Sequence, residues 1–179
     1  MIDMHKIVLV IALCSLLSFI AGCDKGIEPE PQDATQSGKT GFSGKVTFTG
    51  NWPAGIKRTH LVVFRNVIQS SSDFPPPNLA FVIDSIPYRS AVFDYNSIDN
   101  NIQFSILKLG LGDYSYVVVA QSKTPDLSLD RKDWFIVGIY YNGNDKSKPG
   151  VMTIQNGQMT NGININVDFS NPPQQPPGG

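Results

Sequence analysis

Hydrophobic and polar residues alternate most cleanly near the end of the chain, where Ile163, Ile165, Val167 and Phe169 are separated by Asn164, Asn166 and Asp168. A period of two places the apolar set on one face of a strand and leaves the other face wet. Short apolar runs bounded by Gly, Pro, Asn and Asp recur upstream. They predict further strands near Phe42 to Thr49, Thr59 to Val67, Ser90 to Tyr95, Ile102 to Lys108, Tyr114 to Gln121, Trp134 to Tyr141 and Val151 to Gln155. After the first forty residues no long stretch repeats apolar positions at i, i+3, i+4 and i+7, so no helix is expected there. Tyr116 to Ala120 and Phe135-Ile136-Val137 are apolar at successive positions, which fits central strands covered on both faces or strands at an interface. Phe81 to Ile86 fits either a short strand or a single helical turn. Pro75-Pro76-Pro77 marks a rigid loop, and Asn156-Gly157 and Asn161-Gly162 supply positive-φ turns before the last strand. The pattern as a whole predicts an all-β fold, a single antiparallel β-sandwich of about seven or eight strands.

The amino end follows a different logic. Lys6 precedes an unbroken apolar or small run from Ile7 to Ile20. As a helix it would reach about 21 Å, short of the roughly 30 Å hydrocarbon core of a bilayer. The run closes on Ile20-Ala21-Gly22-Cys23, which resembles the lipobox of bacterial lipoproteins: an aliphatic residue, two small residues, then cysteine. That resemblance implies a helical signal peptide over residues 1–22, cleavage before Cys23, and acyl chains on Cys23 that hold the protein to a membrane. An ordinary secretory signal with an incidental Cys23 is the competing reading. Asp3 offsets the charge of Lys6, which a start at Met4 would repair. Residues 23–40 read as the lipidated cysteine and a flexible tether, rich in Pro and small polar residues. Residues 41–170 hold the sandwich, and residues 171–179 (NPPQQPPGG) read as a Pro-rich disordered tail.

Composition narrows the chemistry. The net charge is -1, from 14 basic and 15 acidic side chains, so there is no basic field to collect nucleic acid. Removal of the signal would take Cys14 and His5 with it, leaving a lipid-bearing Cys23 and a single histidine, His60. A disulfide, a thiolate metal site and a cysteine nucleophile then lose their residues, and any Ser/His/Asp triad would have to run through His60. His60 shares parity with Val62 and Phe64, as a packed strand histidine does. No nucleophile elbow, phosphate loop or nucleotide fingerprint occurs, and no cofactor is implied. Glu is confined to Glu28 and Glu30. The carboxylates of the folded part are therefore aspartates: Asp94, Asp99, Asp113, Asp126, Asp130 and Asp133 sit at expected turns or strand ends, where Asp serves the local backbone. Asp126-x-Ser128-x-Asp130-x-x-Asp133 spaces oxygen side chains as calcium loops do, but lacks the central Gly and terminal Glu of an EF-hand.

Gly41 to Gly50 (GFSGKVTFTG) and Gly157 to Phe169 resemble the first and last strands of carboxypeptidase-regulatory-like and transthyretin-like β-sandwiches, modules common in bacterial surface lipoproteins. The resemblance implies an Ig-like or transthyretin-like arrangement in the cell envelope, at the outer membrane rather than the inner, and a non-enzymatic binding or assembly role toward a glycan or an envelope protein. Asn51 to Arg58 replaces the compact first turn of that pattern. The residues for recognition are loop aromatics: Trp52 before a proline, Trp134 at a strand start and Tyr140 at its end, with Phe74 and Tyr88 also flanked by proline. Each could instead plug the sandwich, and that plug role suits Trp134 best. Two other readings stand beside recognition: a structural or adhesion subunit assembled by edge-strand pairing, and a carboxylate-dependent glycan hydrolase.

Overall fold

The computed structural model describes residues 38–83, 85–99, 107 and 109–179. The expected signal peptide, Cys23, most of the expected tether and, apart from Leu107, the strand expected at Ile102 to Lys108 lie outside the described residues. The described chain is all-β, with ten strands. β1 (Gly41–Thr49) is the spine of one sheet. It pairs antiparallel with β4 (Val92–Asn96), parallel with β10 (Ile165–Asp168), and parallel at its first residues with β9 (Met159–Thr160). The second sheet is antiparallel throughout, in the order β3 (Leu79–Val82), β2 (Arg58–Phe64), β6 (Tyr116–Ser122), β7 (Phe135–Ile139). A two-stranded ribbon of β5 (Gly112–Tyr114) and β8 (Met152–Ile154) completes the fold. The expected sandwich is thus mixed rather than wholly antiparallel. A parallel pair needs a long crossover, and between β1 and β10 nearly the whole domain supplies it.

Alternation decides the interior. Phe42, Val46 and Phe48 of β1, Tyr95 of β4 and Ile165 and Val167 of β10 face Leu61 and Val63 of β2, Val117 and Val119 of β6 and Val137 of β7. Phe42 is fully buried and meets Phe81 and Tyr95 edge-on at 5.8 and 5.9 Å, the geometry that ring quadrupoles favour. The opposite face of the second sheet is buried too. Val62 and Phe64 of β2, Tyr116, Val118 and Ala120 of β6 and Ile136 of β7 form a separate cluster, covered by Ile68 and Phe74 from the β2–β3 loop and by Leu127 and Trp134 from the β6–β7 loop. A single turn of 3-10 helix, Ser71–Asp73, orders the first of these covers. The Asp73 carboxylate accepts the backbone N–H groups of Gln69 and Ser70 at 2.9 and 2.8 Å and the Ser70 hydroxyl at 3.0 Å. Those bonds hold its pKa below the ordinary carboxylate value.

Several expectations shift in detail. The run Tyr114 to Gln121 breaks at Ser115, whose N–H donates to Arg65 O at 3.0 Å, so that Tyr114 and Tyr116 belong to different sheets. β2 stops at Phe64 because Asn78 clips the following turn: Asn66 N–H donates to Asn78 Oδ1 at 2.8 Å, and Arg65 N–H to Asn78 O at 2.9 Å. β3, Leu79–Val82, takes in only Phe81 and Val82 of the stretch Phe81 to Ile86 that the sequence left open between strand and helical turn. Gly157 and Gly162 take φ of 68° and 78° at the expected turns.

β6 is central, as its apolar run predicts, but β7 is an edge strand, with Phe135 45% exposed. Both faces of β7 are apolar because both faces of its sheet are covered, not because strands flank it. Its open side is closed by the chain's own Pro-rich end. Residues 171–179, expected as a disordered tail, lie against β7 instead. Ile136 N–H donates to Gln175 Oε1 at 2.9 Å, and Gln175 Nε2 donates to Ile136 O at 2.8 Å. Proline has no N–H to offer a sheet ladder, so a glutamine side chain does what a strand backbone would.

Candidate binding site at one end of the sandwich

The loop after β1 carries Trp52, and the β3–β4 turn carries Tyr88 and Arg89. The Trp52 ring rests on Phe48 at 4.7 Å and Phe169 at 5.0 Å, and meets Tyr88 edge-on at 5.4 Å. Its Nε1 donates to Ser90 O at 3.2 Å, and Tyr88 OH donates to Pro53 O at 3.3 Å, so the two loops are tied together. The Arg89 guanidinium lies 5.3 Å from the Tyr88 ring centroid, a cation–π contact. Arg89 has a φ of 66°, the one positive φ at a non-glycine among the described residues. For a side chain as large as arginine that conformation costs on the order of 1 kcal/mol. Gly50, Asn51, Trp52 and Arg89 line an open concavity of about 420 Å³. Trp52 is therefore half-buried, with one side rooted in the core and the other at the concavity, while Tyr88 is 46% exposed.

The three aromatics read from the sequence do not converge. Trp134 is buried in the outer-face cluster, its Nε1 donating to Ser128 O at 2.8 Å and its ring meeting His60 at 5.6 Å. Tyr140 follows the other end of β7, bonded through its N–H to Val117 O at 2.8 Å and packed on the interior core. Asn51 and Arg89 escaped sequence reasoning, since nothing in a Pro-Tyr-Arg-Ser run marks a positive φ at the arginine.

Beside Trp134 the outer-face cluster borders a partly open apolar cavity of about 240 Å³, lined among others by His60, Val62, Leu79, Val82 and Leu127. His60 is fully buried at its wall, with Nδ1 3.1 Å from Ile83 O. Several of the described carboxylates bond to neighbouring groups. Asp94 pairs with Lys45 at 3.4 Å, Asp130 with Lys132 at 3.8 Å, and Asp113 accepts the Thr153 hydroxyl at 2.6 Å. Asp145 is held below its usual pKa by the Ser147 hydroxyl and N–H. In the calcium-like stretch, Ser128 Oγ is taken by the Asp130 N–H at 3.0 Å, and no three His, Cys, Asp or Glu side chains converge anywhere among the described residues. The chain matches no protein-family model, no curated protein and no solved structure.

Proposed function

We propose that this is a lipid-anchored envelope protein whose sandwich binds a glycan at the loop end built by Asn51, Trp52, Tyr88 and Arg89. The observation that carries the reading is the Trp52 ring, fixed by the core on one side and open on the other to a concavity flanked by an amide and a guanidinium. A sugar presents a C–H face for stacking and a rim of hydroxyls for polar side chains, so that combination fits it. Preorganisation supports the same reading: Pro53, the Trp52–Ser90 bond and the Tyr88–Pro53 bond lower the entropy lost on contact.

The anchor rests on the Ile20-Ala21-Gly22-Cys23 lipobox, and the resemblance of the strand sequences to surface-lipoprotein modules agrees with it. Cys23→Ser should abolish fatty-acid labelling and leave the precursor uncleaved, and normal processing of that variant would overturn the anchor. For the site, affinity is read by isothermal titration calorimetry with envelope and capsular polysaccharides, which needs neither tryptophan as reporter. Asn51→Ala, which removes a group outside the core, should weaken binding by about 1–3 kcal/mol, or about 5- to 150-fold, and leave the thermal midpoint unchanged. Trp52→Ala should weaken binding as much and also lower the midpoint, because Phe48 and Phe169 lose a neighbour. Full affinity in both variants removes this end of the molecule from the site.

A further inference from the structure

The cavity beside Trp134 is held open by the two loops that roof it. Its floor is strand: Val62 of β2 with Leu79 and Val82 of β3. Its roof is Phe74 from one loop and Leu127, Leu129 and Trp134 from the other. Phe74 follows the turn capped by the Asp73 carboxylate, and Asn78 Nδ2 donates to Asp73 O at 2.8 Å, which ties that turn to the start of β3. Trp134 is fixed through the bond from its Nε1 to Ser128 O. Neither loop is free to sink onto the floor, so about 240 Å³ remains between them, where protein cores ordinarily leave few spaces larger than a water molecule.

The walls specify what fits. Among the described residues no Lys, Arg, Asp or Glu lines them. The two polar side chains present are turned to the protein: His60 Nδ1 donates to Ile83 O at 3.1 Å, and Ser128 Oγ accepts the Asp130 N–H at 3.0 Å. A water molecule needs about two to four polar partners in such a space and meets hydrocarbon on most sides. An apolar cavity of about 150 Å³ holds a ring of six carbons, so on that scale this one holds roughly ten. Leu129 is 47% exposed and carries the apolar wall out to the surface. A space that is apolar within and open to solvent past Leu129 suits a chain with a tail to bury and a polar head to leave in water.

We propose that this cavity binds the alkyl tail of an amphiphile, a fatty acid or a lipid acyl chain, to a depth of about eight to ten carbons. The head stays outside, because the walls hold no charge to offset a carboxylate or a phosphate. Each methylene taken in leaves water, so affinity should rise about fourfold per carbon until the cavity is full. Carbons beyond that depth lie in solvent, and affinity levels off. Partition into a membrane gives no such ceiling, since every added methylene is buried there. The cavity shares no lining residue with the concavity at Trp52, and the inference does not rest on the glycan reading.

Trp134 reports occupancy: it is only 4% exposed, so a contact quencher reaches it from inside the cavity. The full chain carrying Trp52→Phe, reconstituted into phospholipid vesicles, has Trp134 as its one remaining tryptophan. Fatty acids of increasing length, brominated at the terminal carbon, are titrated in, and emission is read against free acid. Quenching should saturate, with the half-saturating concentration falling about fourfold per carbon and levelling off near about ten carbons. Val82→Phe, which fills part of the cavity from its floor, should raise that concentration about tenfold at an unchanged fold, checked by thermal midpoint. Should that variant fail to fold, Val62→Ile adds a single methylene and should move the plateau to a chain shorter by about one carbon. Vesicles whose phospholipid carries the bromine then identify the source of the tail: cavity-dependent quenching supports a membrane lipid, and quenching by the free acid alone supports a fatty acid. No quenching by any acid or by the lipid overturns the proposal. Quenching that strengthens with chain length without a ceiling, or that is the same in the cavity-filling variants, also overturns it.

Discussion

The two faces of the β3–β2–β6–β7 sheet are made of the same strands yet differ in what covers them. Toward the interior, Leu61, Val63, Val117 and Val119 meet a second sheet whose side chains repeat at the same spacing, and they interdigitate with it. On the other side, Val62, Phe64, Val118 and Ala120 meet loops, from Ile68 to Phe74 and from Leu127 to Trp134. Loops have no period to match the pleat. They deliver single large side chains where the backbone allows, and the mismatch leaves the 240 Å³ cavity beside Val62, Val82 and Trp134. Burial alone therefore does not distinguish the faces; the regularity of the partner does.

Adding one methylene at neighbouring positions of β2 should separate them most sharply. Val63→Ile, pointing into the close-packed interior, should destabilise by about 1–3 kcal/mol. Val62→Ile, pointing at the cavity, should be neutral or stabilising by about 0.5–1 kcal/mol. Chemical denaturation of both variants checks this, and equal losses would mean that the outer cavity is closed in solution.

A smaller effect comes from alkaline titration. Tyr116, on the outer face, is buried, and that burial pushes its phenol up to about 12 from an ordinary 10, against a smaller opposing pull from Arg131. The unfolded chain loses this proton first. The stabilisation is therefore complete below pH 10 and disappears as pH rises toward 12. Tyr116→Phe should abolish a loss on the order of 1 kcal/mol over that window. On the inner face, burial raises Tyr95 further, with Tyr140 adding to the shift, and burial raises Tyr141 as well, so the alkaline slope that persists in Tyr116→Phe reports these two phenols. Midpoints measured from pH 9 to 12 check both, and an unchanged slope in Tyr116→Phe would mean that the outer face admits water.

Much of this architecture is legible in the sequence because alternation is local. β1, β2, β6 and β10 follow their apolar runs, and the second covered face is already implied by Tyr116 to Ala120. β9 is not legible, since two residues are too few to show a period, and β5 is hidden because its Tyr114 reads as the start of the apolar run that becomes β6. The edge position of β7 escaped because continuous hydrophobicity reports coverage of faces and says nothing of edges. The docked tail escaped for a related reason: its composition is that of a solvated Pro-rich segment, and only a specific pair of backbone groups on Ile136 gives Gln175 somewhere to bind. Trp52 was visible as a loop aromatic. Its partners Asn51 and Arg89 became visible only when two loops distant in sequence met.

The parallel register of β1 with β10, Val46 opposite Ile165 and Thr49 opposite Asp168, also sets an order of events. β2, β3, β6 and β7 pair with neighbours close along the chain or made soon after. β1 instead keeps one side unpaired until almost the last residues of the domain are available, at a loop-closure cost that makes such contacts slow. A chain emerging from a ribosome or a translocation pore, amino end first, would therefore hold its first strand open throughout synthesis. Folding of that sheet becomes a timer that reads out completion of the domain, and during that interval the exposed edge of β1 is where a holding chaperone would be needed.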